Sequence, residues 1–332
     1  MRFSFSHRKM TQFVKTLQGL RVALVVPCFN EEVAIGTVIR DFRQAMPSLE
    51  MYVFDNASTD KTSEVARSEG ADVVHVPLKG KGNVVRRMFA DVDADVYVMV
   101  DGDATYHAPS LPAMIHKLLD ERLDMVVGCR VTPKEVAAAA YRHGHQFGNK
   151  LLTNSIAWIF GGQFTDMLSG YRVFSRRYVK SFPSLSSGFE IETELTVHAL
   201  ELRMPYGEVM TPYGARPEGS ASKLSTYKDG WKILKTIARL YISERPLSFF
   251  SLCGFLFSLL SLGLAWPILI EYLQTGLVPR FPTAILSASI MVSALLSFAC
   301  GLILDNVTRG RHEMKRLFYL GIPVREGLKR DR

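Results

Sequence analysis

Cysteine is scarce in this chain: Cys28, Cys129, Cys253 and Cys300 are the four in 332 residues. None is spaced with another cysteine or a histidine as a zinc site requires, which argues against thiolate-bound metal and a disulfide framework and leaves free thiols in a reducing compartment. Nor is a secretory signal expected from the first residues. The first stretch, MRFSFSHRKMTQFVKTLQGLR, is basic but has no apolar core of the kind a signal peptide needs. Internal repeats and low-complexity linkers are also lacking, so nothing in the composition divides the first two thirds of the chain.

Charge is absent from two long windows, LSFFSLCGFLFSLLSLGLAWPILI from Leu247 to Ile270 and FPTAILSASIMVSALLSFACGLIL from Phe281 to Leu304. A helix rising about 1.5 Å per residue crosses some 30 Å of hydrocarbon in about 20 residues, so each window is long enough to span a membrane. Only EYLQTGLVPR joins them, which predicts a hairpin. Arg239 and Arg245 precede the first window, and Arg309, Arg311, Lys315 and Arg316 follow the second. By the positive-inside rule the chain is expected to be multi-pass in the inner (plasma) membrane, with the N-terminal part and the tail cytoplasmic. Ser289, Ser293, Ser297 and Gly301 recur every four residues, a small-residue face that predicts helix packing within the hairpin or in a homo-oligomer.

The net charge of +8 comes from 40 basic and 32 acidic residues. Its basic segments flank the membrane windows and lack interleaved aromatics, so anionic membrane lipids, not nucleic acid, are the expected partner. STYKDGWKILKTIARLYISERP sets Trp231, Leu234, Ile237 and Ile242 among lysines and arginines, which predicts an amphipathic helix lying on the membrane.

From Arg21 onward, short apolar runs alternate with helical spacing. VALVVP leads into EEVAIGTVIRDFRQAM; EMYVFD into STDKTSEVARSEG, where Ser58 or Thr59 can cap a helix that Gly70 ends; ADVVHV into GKGNVVRRMFADV; and ADVYVMVD follows. That alternation predicts an α/β fold with a mostly parallel sheet. Ligands of such sheets bind beyond the carboxyl ends of the strands. The polar residues there are Asn30 and Glu31, Asp55 and Asn56, the KGKGN loop with Lys81, and Asp101 and Asp103, so four distant segments should meet on one rim.

Asp101 and Asp103 in VMVDGDATYHAP end an apolar strand, where they can share a hard divalent cation or form an ordinary acidic turn. Asp55 can accept hydrogen bonds from a ribose or base, or cap the turn that follows it. Lys81 and its glycine neighbours can approach phosphate, or sit in a solvated turn. Asp166 and Arg172, close together around MLSGYR, are either a structural ion pair or a pair acting near an acceptor. GFEIETELTVHALEL reads as a helix whose acidic start suits the helix dipole. His143 and His145 lack companions that would complete a metal site. In RPEGSASK, Arg216 and Lys223 flank a flexible loop that can close on phosphates or serve as a basic juxtamembrane segment.

In order, VVPCFNEE, DNASTDKT, KGKGN, DGDATY, VGCR, DMLSGYR and the arginine-to-lysine loop resemble the family 2 glycosyltransferases of the GT-A fold. The likeness is strongest to the polyprenyl-phosphate branch, which includes dolichol-phosphate mannose synthase and bacterial undecaprenyl-phosphate sugar transferases. The resemblance implies a Rossmann-like GT-A domain in which Pro27, Phe29, Glu31 and Asp55 hold a nucleotide sugar, with a UDP-sugar favoured. It also implies Mg2+ or Mn2+ on Asp101 and Asp103, and Arg130, Arg216 and Lys223 facing phosphates. Three positions depart from the family pattern: Asn56 follows Asp55 where a second aspartate is usual, Phe29 replaces a tyrosine, and the last loop has one extra residue between Arg216 and Lys223.

The expected layout is a basic extension over 1–20, a GT-A catalytic domain over 21–215, a phosphate-binding loop and interfacial helix over 216–245, two transmembrane helices over 246–305 and a basic tail over 306–332. The expected reaction is metal-dependent, inverting transfer of the sugar to a membrane polyprenyl phosphate, with Asp101, Asp103, Arg130 and Asp166 in the catalytic group. A glycosyltransferase acting on a lipid or glycan hydroxyl, and a non-catalytic nucleotide-sugar-binding subunit, are the rival readings.

Overall fold

The structure is a computed structural model that describes residues 19–131, 154–162, 164–184, 186, 188, 190–217, 235 and 238–323. Two compact units are present, one formed by residues 1–231 with 315–332 and the other by residues 232–314.

The first unit is built on a seven-stranded sheet. Its strands are β1 (Val22–Cys28), β2 (Glu50–Asp55), β3 (Asp72–His75), β4 (Val96–Met99), β5 (Met125–Val131), β6 (Arg172–Ser175) and β7 (Tyr206–Pro212), in the order β3-β2-β1-β4-β6-β5-β7. β1 to β4 are mutually parallel, β5 is parallel to β7, and β6 alone runs antiparallel to both of its neighbours. The first four strands therefore follow the alternation expected from the sequence. Their near-continuous apolar runs reflect a sheet covered on both faces.

One face packs Leu24, Val26, Val98, Val126 and Val173 against α1 (Ile35–Ala45) and α4 (Leu111–Asp120), through Ile35, Ile39, Phe42, Leu111 and Met114. The alternate residues Val25, Tyr97, Met99 and Phe174 are buried as well. On that side Phe89 of α3 (Lys81–Asp91) meets Tyr97 and Phe174 edge-on, and Tyr178 of α5 (Arg176–Ser181) stacks on Phe174 at 4.6 Å. α2 (Thr62–Ser68) and α6 (Ile191–Glu201) complete the helices of this unit that bear on the site. Helix α2 starts later than Ser58 or Thr59: Asp60 Oδ1 accepts the Thr62 amide at 3.0 Å, while Ser58 Oγ accepts the amide of Asn30. Gly70 ends that segment in the left-handed region, as expected.

The reversal of β6 has a consequence for the rim. Because Arg172 at the start of β6 pairs with Met99 at the end of β4, the SG turn before β6 reaches the same end of the sheet as the DGD turn after β4.

The second unit holds most of two long helices, α7 (Pro246–Thr275) and α8 (Phe281–Gly321). Each is long and apolar enough to cross a membrane, and most of each apolar window is exposed, unlike the core helix of a soluble protein. They pack through residues seven apart: Gly254, Ser261 and Ile268 on α7 and Ser287, Ala294, Gly301 and Thr308 on α8 are buried. A Cβ at Gly254 would come within 2.9 Å of the Ala294 carbonyl, so glycine is what permits this close approach. Of the four-residue stripe expected from the sequence, only Gly301 lies in this seam. Ser289 and Ser293 are exposed and return their hydroxyls to the carbonyls of Ile285 and Ser289. A seven-residue period returns to the same helix face every two turns, which is what keeps these small residues in one seam. Most of the expected interfacial helix, and His143 and His145, lie outside the described residues.

Candidate active site

At the carboxyl end of the sheet, the end of β5 and segments following β1, β2, β3, β4 and β7 surround a cavity of about 450 Å3. Its wall includes Pro27, Phe29, Glu31, Lys81, Asp101, Asp103, Arg130 and Arg216, eight residues singled out from the sequence. Lys223 lies outside the described residues, and Asp55 and Asp166 stand behind the lining.

Asp101 and Asp103 sit on one turn, and each carries a basic partner. Lys81 donates to Asp101 Oδ1, and Arg216 Nη2 meets Asp103 Oδ2 at 2.8 Å. The other Asp103 oxygen accepts from the Thr105 hydroxyl at 2.6 Å. Burial, and then the charge of Asp101, push the Asp103 carboxyl above the usual carboxylate range. Lys81 also donates to Glu192 in the first turn of α6. Burial opposes its charge, but the two carboxylates outweigh that and hold its pKa above the ordinary lysine value. Two carboxylates on one turn, that of Asp103 desolvated, are oxygen donors of the kind a hard divalent cation takes. Gly170 is needed beside them: a Cβ there would overlap the Asp101 carboxylate. Tyr106, fully inside the wall, accepts the Gly170 amide at 2.8 Å and so ties the DGD turn to the SG turn.

Asp166 pairs with Arg130, not with Arg172 as its position near MLSGYR led us to expect. Arg130 Nε and Nη2 reach the two Asp166 oxygens at 2.6 and 2.8 Å, and the Arg130 amide adds a third contact. Burial raises the Asp166 pKa, but hydrogen bonds from Arg130 and its charge prevail and leave it below the usual range. The guanidinium of Arg130 also lies 5.5 Å from the centre of the Tyr213 ring. Arg172 is buried and donates to the carbonyls of Ser169, Met167 and Glu192 and to the Thr196 hydroxyl. It thus holds the SG turn to the start of α6, which carries Glu192.

Asp55 satisfies its turn-capping reading: its oxygens accept the Ser58 amide at 3.0 Å and the Ser63 hydroxyl at 2.6 Å. Burial works against its charge, yet these hydrogen bonds keep its pKa low. Asn56 lines the cavity instead. Its amide donates to the carbonyls of Val76 and Leu78 at 3.1 and 2.7 Å, and its Oδ1 accepts the Gly80 amide at 2.7 Å. An aspartate has no donor for those two carbonyls, which accounts for the departure from the double aspartate. Asn56→Asp is therefore expected to cost about 2 kcal/mol through lost and repelled contacts, read as a lower midpoint in denaturant unfolding. Phe29 faces the cavity with Lys79 Nζ 5.4 Å from its ring centre.

Sequence reasoning placed Glu192 at a helix start and missed its place in the wall, together with Tyr106, Leu168 and Tyr213. The available signal was GFEIETE itself, whose acids suit the helix dipole and one of whose carboxylates, or Asp166, would be the base in the rival transfer to a hydroxyl acceptor.

The family model described as glycosyl transferase family 2 matches residues 23–182. Glycosyltransferase AglJ of Haloferax volcanii is 33% identical over 299 residues, covering 89% of this chain and 97% of that protein. The chain belongs to the family 2 glycosyltransferases. A dolichyl-phosphate hexose transferase, also of Haloferax volcanii, is 27% identical over 68% of this chain and 95% of its own length. Among solved structures, glucosyl-3-phosphoglycerate synthase from Mycobacterium tuberculosis, in complex with Mn2+, UDP-glucose and phosphoglyceric acid, superposes with a TM-score of 0.57 at 22% identity. It covers 74% of this chain and 85% of that one. This glycosyltransferase therefore has the GT-A fold expected from its motifs, followed by two C-terminal apolar helices.

Proposed function

We propose that this glycosyltransferase moves a sugar from a nucleotide sugar, with a UDP-sugar the leading candidate, to a membrane polyprenyl phosphate. One observation carries the reading: a single cavity holds Asp101 and Asp103 beside Lys79, Lys81, Arg130 and Arg216, on a chain whose helices can lie in a bilayer. Likeness to a dolichyl-phosphate hexose transferase supports the acceptor class, and the UDP-glucose complex of a GT-A neighbour supports the donor class. The polyprenyl tail would share the bilayer with α7 and α8, a requirement that a soluble acceptor does not impose. A cytoplasmic site at the inner membrane follows from the basic flanks.

Asp101 and Asp103 would hold Mg2+ or Mn2+, which when bound supplies charge neutralisation for a diphosphate leaving group. Pro27, Phe29, Glu31 and Asn56 would bound the nucleoside, with Asp55 fixing the turn beneath it. Lys81, Arg216 and Lys223 would face phosphates. Arg130, held flat by Asp166 and Tyr213, would orient the acceptor phosphate. That phosphate is a monoester with its second pKa near about 6, so at neutral pH it arrives largely as a dianion. Its oxygen attacks the anomeric carbon as the bond to the diphosphate oxygen breaks, and the electron pair departs with the nucleoside diphosphate. No proton has to move, and the anomeric centre inverts. Alignment and charge stabilisation then supply the rate.

The test is full-length protein with polyprenyl phosphate, divalent metal and a panel of nucleotide sugars, followed by mass analysis of the lipid. A sugar-phosphate lipid is expected, and its absence across the panel overturns the reading. Asp166→Asn is expected to raise KM for the phosphate acceptor by about tenfold while turnover persists, since the side chain positions Arg130 and is not a base. Abolished turnover, recovered only with added base, would favour a hydroxyl acceptor.

A further inference from the structure

Lys81 is shared between carboxylates far apart in the chain, Asp101 on the turn after β4 and Glu192 in the first turn of α6. Its side chain is 10% exposed and that of Glu192 7%, whereas Asp101 is 28% exposed and opens toward the cavity. Two partners of unequal exposure give the ammonium a choice. Glu192 is held in place from behind, because Arg172 grips its carbonyl.

A divalent cation arriving on Asp101 competes with the ammonium for the same carboxylate, and the two positive charges repel. Without another partner, Lys81 would then be an uncompensated charge in a desolvated wall, which opposes cation binding. Glu192 already touches it. We infer that Lys81 and Glu192 form an internal counter-cation relay for the Asp101–Asp103 site, in which Lys81 neutralises Asp101 until a cation binds and Glu192 then retains it. This rests on the metal reading of Asp101 and Asp103 proposed above. Glu192 is in these terms a positioning residue: it acts on the cation through Lys81.

Simple addition of charges also predicts that removing Glu192 weakens cation binding and that removing Lys81 strengthens it. The relay differs in making the two effects depend on each other, because Glu192 matters only while an ammonium needs a seat.

The experiment measures Mn2+ binding to the full-length protein in detergent by the EPR signal of the free ion, without donor or acceptor. Glu192→Gln should weaken binding by about tenfold in the natural background and leave it nearly unchanged in a Lys81→Gln background, with Lys81→Gln alone binding more tightly. Lys81→Met repeats the cycle without an amide, and the Tm of each variant registers folding. An equal factor for Glu192→Gln in both backgrounds overturns the relay. Mn2+ binding that is insensitive to Asp103→Asn overturns the metal reading instead, so the two failures are distinct.

Discussion

Asp103→Asn should lower the rate of sugar transfer by about 10³-fold while Tm changes little. The asparagine preserves shape and can still accept from Thr105, whose hydroxyl now meets the Asp103 carboxylate at 2.6 Å. In the proposed mechanism the change removes one of the two negative charges that would be offered to a cation, and with it the means of stabilising a departing diphosphate. The fold has reason to tolerate the change. Asp103 is buried beside another carboxylate, which pushes its pKa up and disfavours the charged form, with the hydrogen bonds from Thr105 and the charge of Arg216 offsetting part of the cost. Initial rates against Mn2+ concentration, with thermal unfolding of the same preparation, read both quantities. Near-natural turnover would return the DGD turn to the ordinary acidic turn it can resemble in sequence.

Arg172→Met should destabilise the catalytic unit by about 3–5 kcal/mol, the largest stability effect expected of any single substitution considered for this chain. Arg172 is wholly buried and links three carbonyls and a hydroxyl from the SG turn and α6. Methionine fills much of the volume but strands those acceptors without donors. Burial lowers the pKa of this guanidinium, so its charge is held against a desolvation cost and its value lies in the acceptors it satisfies. Chemical denaturation should show the loss as a fall in midpoint, and nucleotide affinity should fall with it because Glu192 and Gly170 are both anchored through this residue. A midpoint within about 1 kcal/mol of the natural chain would contradict this view.

Much of the site was legible because the chain announces strand ends locally. Apolar runs such as VALVVP and VYVMV stop abruptly at polar residues, and in a parallel sheet those stops share one rim, so Glu31, Lys81, Asp101 and Asp103 could be grouped without coordinates. The partner assignments were less accessible. Proximity in sequence favoured Asp166 with Arg172, but the structure pairs Asp166 with Arg130, 36 residues away, because β5 and the loop before β6 meet at the rim. Lys81 and Glu192 are 111 residues apart, a distance over which no periodicity carries information. Asn56 shows the opposite case: a departure visible in sequence whose reason, two carbonyls needing donors, exists only in the folded loop.

The sequence by itself determined the α/β class, the order of the strand-end motifs and the two apolar helices, because hydrophobic period, turn residues and absence of charge are properties of consecutive residues. Only the tertiary structure decided that β6 runs backward, that the hairpin seam repeats every seven residues, and which carboxylate each buried cation meets. Those depend on which elements lie side by side, and that choice is made by packing the whole sheet, not by any segment alone.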